Sequence, residues 1–288
     1  MRRPFHILLR LLAGFSVIAL SAPAPAQELL RREIAASDVK ELNATIKLSF
    51  GHVSLRRGTT DKIAVIEYTK PKESESDLEC RYSAAGGIGS LVIRSEEEEG
   101  LWDRGSDKEH REWSIELTDR IPVLLHFELG AGEGDIDLTG LKLRTMNLSA
   151  GASSIRLECN ELNRIKAEFI EIESGVSKLT AHNLCNINFD RMAFSGGVGS
   201  YRLDFGGNFT RNATVTIEVG LGAVAVTMPE GLPARIKHDD SWFSSFDLDG
   251  NFLKKSKGVY ESAAFGSADQ RLVIAIESGL GTVKVHQR

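Results

Sequence analysis

Three glutamates recur at one position of a repeated pattern, and they are the residues of this chain best placed to do chemistry. Glu173, Glu218 and Glu277 each follow an apolar residue directly and precede a glycine by two positions. If the pattern stacks in space, these carboxylates form a ladder on an outer face, where like charges repel one another. Such a ladder can serve acid–base catalysis, bind a cation or a partner, or be the solvated side of amphipathic strands.

Other motifs of catalysis are missing from the sequence. It contains no G-x-S-x-G elbow, no H-E-x-x-H pair and no P-loop. The glycine run at Gly130, Gly132 and Gly134 continues into a strand-like segment, whereas a dinucleotide site needs a helix there. The histidines after residue 26 are scattered singly. We predict no catalytic residue, no cofactor and no metal site, and therefore a protein that is not an enzyme.

The three cysteines lack the spacing of a zinc site and leave one question open. Cys80, Cys159 and Cys185 are an odd set, and an oxidising compartment would permit one disulfide. In the repeat register, Cys159 lies two positions before the site that aligns with Cys185. This offset adds about 7 Å to the spacing of neighbouring strands. The alternatives are a Cys159–Cys185 disulfide and two separately buried thiols, and the offset favours the thiols.

Six glycines mark the repeated unit that would position these side chains. An apolar residue stands three positions before each glycine, and further apolar residues stand four and six positions after it. Because alternate residues of a strand share one side, each unit is predicted to be a strand, a glycine corner and a second strand. Glycine suits such a corner because it has no Cβ. The six are Gly132, Gly151, Gly175, Gly197, Gly220 and Gly279.

The spacing of these glycines predicts the architecture. The first four gaps are 19 to 24 residues, the length of one turn of a β-solenoid, and a single corner cannot bury its apolar side without a neighbour. We predict an all-β fold, a right-handed, single-layer β-solenoid-like stack of strand–glycine corner–strand units. A β-sandwich is the alternative. The long last gap, with residues 227–271, is expected to hold an insertion or a degenerate unit.

The chain is predicted to have three parts. Residues 1–26 have the cationic start, apolar stretch and Ala-Pro-Ala exit of a cleavable signal peptide, with an uncleaved anchor as the alternative. Residues 27–110 form an N-terminal β region, whose lead-in (28–42) is expected to be a short helix or irregular. Residues 111–288 hold the solenoid repeats.

Charge and composition exclude some classes of partner. The formal net charge of the chain is −5, and removal of the signal peptide would also remove three arginines. Nucleic acids are therefore excluded as partners, since their binding depends on Lys and Arg. No second long apolar stretch follows the signal, so no stable membrane span is expected after cleavage. The acid-rich segment 95–111 is predicted to be a solvated loop, with a calcium loop as the alternative.

Four segments carry a resemblance to a known family. The segments 113–141 and 146–151, followed by the closing segments 219–231 and 277–285, resemble the bacterial toast-rack domains of unknown function. These domains are related to the putative-adhesin and LiaF-like β-solenoid families. The resemblance covers roughly residues 110–288. It implies a stacked β fold in the bacterial envelope and brings no catalytic residues with it.

The function expected from these observations is binding without catalysis. We expect an exported envelope protein, periplasmic or extracellular, that presents a rigid β surface to an envelope protein or a cell-surface polymer. A polysaccharide-active β-helix enzyme and a regulator of an envelope stress sensor are the alternatives.

Overall fold

The computed structural model describes residues 27–59, 61–71, 78–95, 111–239 and 244–288. The predicted signal peptide (1–26) lies outside these ranges, as does most of the acid-rich segment, residues 96–110. The described strands form one sheet of sixteen. The strands are β1 (Gln27–Ala35), β2 (Glu41–Arg57), β3 (Lys62–Pro71), β4 (Leu78–Ala85), β5 (Ile88–Ser95), β6 (Glu112–Leu117), β7 (Val123–Asp137), β8 (Leu143–Glu158), β9 (Ala167–His182), β10 (Phe189–Asp204), β11 (Ala213–Met228), β12 (Ala234–His238), β13 (Ser244–Asp249), β14 (Phe252–Ser256), β15 (Val259–Ser262) and β16 (Leu272–Gln287).

Seven long strands form a parallel stack at the centre of this sheet. They pair in the order β2, β7, β8, β9, β10, β11 and β16, with matching positions in register. We call each long strand a rung. Parallel pairing of successive rungs confirms the β-solenoid-like stack and removes the β-sandwich alternative, in which sequential strands would pair as hairpins.

Each rung bends near its middle. Along β11, buried and exposed residues alternate as far as Val219. The next two residues, Gly220 and Leu221, are both exposed, and the alternation resumes at Val224. The inward side chains of both halves therefore reach one shared core. Ile136, Leu179 and Val224, which the repeat predicts to face inward, are at most 2% exposed.

The corner glycines form a column, with one correction to the predicted register. Gly151, Gly175, Gly197, Gly220 and Gly279 are aligned on successive rungs. Gly132 is not in this column, because Leu129 pairs with Ala150 and Ala131 with Ala152, which places Gly130 beside Gly151. A shift of two residues keeps every side chain on its side of the strand, so the predicted inward residues of β7 stay buried.

Asparagines tie together the loops that link the rungs. The Asn163 side-chain nitrogen donates to the backbone oxygens of Leu143 (2.7 Å) and Ile187 (3.1 Å), and Asn163 is 4% exposed. The side chain of Asn186, in a 3-10 turn (Leu184–Ile187), donates to the Cys159 oxygen. These bonds satisfy backbone groups that the ends of the strands leave unpaired.

Shorter strands cover both ends of the stack. At the first rung, β5 and β6 pair with the two halves of β2, and β3 and β1 continue the sheet beyond β6. The lead-in predicted to be helical or irregular is wrong in part, because residues 27–35 form β1, which pairs with β3 along nearly its whole length. Pairing of β2 with β6 and β7 crosses residue 110, and the division of domains at that residue stays a prediction.

The long gap after β11 holds both an insertion and a degenerate rung. β12 and β13 pair with the first and second halves of β16, so together they form one interrupted rung. The hairpin of β14 and β15 is added beside β12. Within the described ranges, no helical segment has the length and apolar character needed to cross a membrane.

Candidate functional site

The acidic column lies on the outer side of the first half of each rung, just before the corner. Glu173, Glu218 and Glu277 lie at the same position of β9, β11 and β16, and all three are exposed. Ser195 occupies this position on β10, between Glu173 and Glu218. The three predicted residues therefore share one column, although only Glu218 and Glu277 are on neighbouring rungs.

Two further acids belong to this column. Glu128 of β7 lies in the column on the N-terminal side of Glu173, and its carboxylate contacts the Lys47 Nζ at 2.8 Å. Asp239 follows β12 directly and donates its backbone N–H to the Ile276 oxygen at 3.4 Å, which places it beside Glu277. Sequence reasoning missed Asp239 because no corner glycine stands two positions after it. The alternation of Ala234, Ile236 and His238 before it was the available signal.

Glu218, Glu277 and Asp239 are the densest part of the column, and we call them the acidic triad. They lie on three adjacent strands, which are about 4.8 Å apart in a sheet. Together with Ser195 they line an open groove of about 480 Å³ at the corner. The carboxylates stand in a row along the stack instead of surrounding one point. Among the described residues, no three His, Cys, Asp or Glu side chains are arranged to hold a metal ion.

An exposed apolar column runs beside the acidic one. Val176, Val198, Leu221 and Leu280 directly follow the corner glycines of β9, β10, β11 and β16, and they pair with one another in register. Their exposed fractions are 66%, 46%, 47% and 49%. We call these four residues the apolar ridge. The sequence signal for it was a valine or leucine directly after the corner glycine in the last four repeats.

A protein-family model matches part of this chain. The model for the N-terminal domain of toast_rack, DUF2154, matches residues 26–182, more than half of the chain. The chain belongs to the toast-rack family. The match and the resemblance seen in the sequence, which covers roughly residues 110–288, overlap between residues 110 and 182. It ends within β9, so most of the apolar ridge and the whole acidic triad of this toast-rack protein lie beyond it.

Two solved structures are similar to this toast-rack protein over most of its length. A putative cell adhesion protein from Clostridium sporogenes ATCC 15579 is 19% identical, and the alignment covers 92% of this chain and 100% of that chain, with a TM-score of 0.45. A putative adhesin from Bacteroides fragilis NCTC 9343 is 13% identical, with coverages of 91% and 98% and a TM-score of 0.35. No curated protein matches the chain.

The outer side of the second half of the rungs has a different charge. Arg156, Arg202 and Lys284 lie at one outward position of β8, β10 and β16, in a column that also contains Asp135 of β7. Arg156 approaches Glu158 at 4.0 Å. In this column the three cations alternate with Thr180 and Ala225, and Asp247 of β13 pairs with Lys284, so the charge on this side of the corner is mixed.

The thiols of this toast-rack protein are structural. Cys159 and Cys185 are free and buried, and their Sγ atoms donate to the backbone oxygens of Glu161 (3.3 Å) and Phe205 (3.1 Å). Burial, with the nearby charges of Asp137 and Asp204, raises the pKa of each thiol to about 12. Both thiols therefore stay protonated and unreactive at neutral pH.

Proposed function

We propose that this toast-rack protein is a non-catalytic envelope protein, exported through a cleavable signal peptide (1–26), that binds a partner protein or cell-surface polymer through the outer sides of its stack. In-register pairing along seven long strands makes that surface rigid, because almost every backbone group of a central rung is hydrogen-bonded to a neighbour on either side. A rigid surface loses little conformational entropy on binding.

The observation that carries this proposal is the ordering of the outer surface into columns. Acids lie on neighbouring strands at Glu218 and Glu277, and apolar residues do so at Leu221 and Leu280. Cations recur on every second rung, at Arg156, Arg202 and Lys284. A ligand that lies along the stack would meet an apolar side chain at each step from β9 to β16. Extended apolar exposure beside charge is typical of interaction sites.

Photo-crosslinking in the producing bacterium tests the proposal. A photoreactive amino acid placed at Ser195, in the acidic column, or at Thr180, between Arg156 and Arg202 on the other side of the corner, should give discrete envelope adducts. The matched control is the same amino acid at Leu253, which is 60% exposed on the end hairpin. Retention of the chain in the cytoplasm, or the absence of adducts from every outward position, would contradict the proposal.

The alternative of a polysaccharide-active enzyme has one observation in its favour. Neighbouring carboxylates such as Glu218 and Glu277 lie on strands about 4.8 Å apart, close to the roughly 5–5.5 Å between the two carboxyls of retaining glycosidases. Among the residues that the structure describes, those that line the groove include no aromatic side chain on which a sugar ring could stack. We expect the purified protein to release no reducing ends from polysaccharides. Release that is abolished by Glu218→Gln would favour the enzyme.

A further inference from the structure

The apolar ridge is exposed because its flanks have no side chains. Glycine precedes each of its four residues and also follows Val198, Leu221 and Leu280. Gly222 and Gly281 have φ angles of +145° and +140°, so the chain turns away sharply on that side. At Val198, Leu221 and Leu280 the ridge therefore has glycine on both sides, whereas Val176 is followed by the buried Ser177. Its three steps span about 14 Å along the stack.

Beside the two leucines of the ridge, acidic side chains lie on one flank only. Leu221 and Leu280 each have a triad glutamate three positions earlier in the chain, Glu218 and Glu277. On the other flank, the outward residues two positions later are Ala223 and Thr282, which carry no charge. A partner seated on the ridge would therefore contact acids along one edge only.

We propose that the apolar ridge and the acidic triad bind an amphipathic helix of a partner protein, with the helix axis along the stack and Lys or Arg on the flank that faces the triad. The inference rests on the proposed function and names the chemistry of its partner. It is based on charge complementarity to Glu218, Glu277 and Asp239 and on the repeat distance of the ridge.

The repeat distance favours a helix over an extended peptide. One turn of an α-helix rises about 5.4 Å, so apolar residues three or four positions apart recur at nearly the spacing of the rungs, about 4.8 Å. Residues on one side of an extended strand recur about every 6.6–6.8 Å, so their spacing already differs from that of the rungs by about 2 Å after one rung. Over the four ridge residues, a helix accumulates a mismatch of only about 2 Å.

Two other occupants fit less well. The ridge is one side chain wide, whereas a stable interface between two copies buries about 1,200–2,000 Å² in total. An anionic membrane surface would be repelled by the acidic triad. Both become outcomes of the test.

Synthetic helices are suitable probes for this site. The first probe has about three heptads with Leu on one seam and Lys at the flanking positions, and the second has Glu in place of Lys. Binding to the full chain is followed by fluorescence anisotropy. The lysine helix should bind at least tenfold more tightly than the glutamate helix, and its affinity should fall with added salt.

Paired variants locate the binding site. Val198→Ser with Leu221→Ser should weaken binding of the lysine helix about tenfold, whereas Leu253→Ser, at a more exposed leucine of the end hairpin, should leave it unchanged. Glu218→Gln with Glu277→Gln should weaken it about threefold or more and reduce the salt dependence. The exposed Glu168 supplies the control variant, Glu168→Gln. Circular dichroism verifies that each variant is folded.

Equal affinities of the lysine helix and the glutamate helix would overturn the inference. So would an unchanged affinity of the lysine helix for the variant with Val198→Ser and Leu221→Ser. A sedimentation mass of two chains that Leu221→Ser reduces to one chain would overturn it as well, in favour of a second copy. Binding of phosphatidylcholine–phosphatidylglycerol vesicles but of neither helix would also overturn it, in favour of a lipid surface. If the lysine helix fails to bind while Thr180 still gives crosslinks, the inference fails and the proposed function stands. If no outward position gives crosslinks, the proposed function fails, whatever the helix does.

Discussion

At the scale of single residues, a second column of glycines limits which side chains the corner can accommodate. Gly51 pairs with Gly132, Gly199 with Gly222, and Gly222 with Gly281. A Cβ added to Gly222 would lie 2.0 Å from the Gly199 oxygen, and the φ of +145° is one that side-chain-bearing residues rarely adopt. Here glycine is required for close approach of backbones as well as for conformation.

Gly222→Ala should therefore lower the free energy of unfolding by about 2–4 kcal/mol, because it combines backbone strain with a clash against a neighbouring rung. Chemical denaturation measures the change. Gly266→Ala is the control, since no heavy atom lies within 4 Å of the added Cβ. Equal stabilities of the two variants would show that the rungs can move apart at the corner.

The buried thiols predict a specific response to alkaline pH. In the folded chain, burial raises the pKa of Cys159 and Cys185 to about 12, above the unfolded value of about 8.5. Because the folded pKa is the higher one, their contribution to stability is complete below pH 8.5 and is lost as the pH rises towards 12. Cys159→Ala with Cys185→Ala should flatten this part of the stability curve.

Thiol labelling provides an independent check. At pH 8 the folded protein should react with a thiol reagent only at the half-buried Cys80, and all three thiols should react after denaturation. Rapid labelling of Cys159 or Cys185 in the native state would contradict the structural role of these thiols.

At the scale of the rung, the sequence predicts the strand–corner–strand unit well, because its apolar spacing and glycine are local signals. It predicts the register of β7 incorrectly. Gly130, Gly132 and Gly134 are two residues apart, so each choice leaves the same side chains inward and the apolar pattern cannot decide between them. Pairing along the whole strand decides, and that depends on the neighbouring rung.

The asparagine contacts of the return loops were also beyond sequence reasoning. Asn163 and Asn186 are polar and lie between repeats, which predicts exposed turns. In the structure both are buried, because their side chains replace strand partners for backbone groups of neighbouring loops. Such bonds connect residues 20 to 27 positions apart, and no local pattern contains them.

The acidic column predicts a stability cost that depends on the neighbours of each acid. Glu277 lies between Glu218 and Asp239, whereas Glu173 lies between Ser149 and Ser195. Glu277→Gln should therefore raise the free energy of unfolding by about 0.2–1 kcal/mol at low salt, and Glu173→Gln should change it little. Denaturation at low and high ionic strength measures both, and the gain should shrink with salt. Equal effects of the two variants would show that the carboxylates do not interact.

At the scale of the whole molecule, the ends of the stack were the hardest part to predict. Residues 28–42 contain apolar residues without a clear period, and β1 is fixed as a strand by its antiparallel pairing with β3. β12 and β13 together replace one rung but have no corner glycine between them. End strands need to satisfy only one neighbour, so their sequences carry a weaker repeat than those of the central rungs.

This arrangement predicts a gradient of local stability. Amide hydrogens of β8, β9 and β10 should exchange slowest, since these strands are paired on both sides and bury one core. Those of β1 and β14, at the ends of the sheet, should exchange fastest. Hydrogen exchange followed by mass spectrometry measures the order. Uniform exchange across all strands would indicate unfolding in a single cooperative step.

The position of β16 gives the chain an unusual assembly order. This strand follows β12, β13, β14 and β15 in sequence, yet it separates β11 from β12 and β13 in space. During synthesis, β12 and β13 leave the ribosome before β16, the strand with which both must pair. Chains that lack β16 should expose the unpaired edge of β11, which chaperones can bind. The C-terminal end of the stack should form only after β16 has paired with β11 on one side and with β12 and β13 on the other.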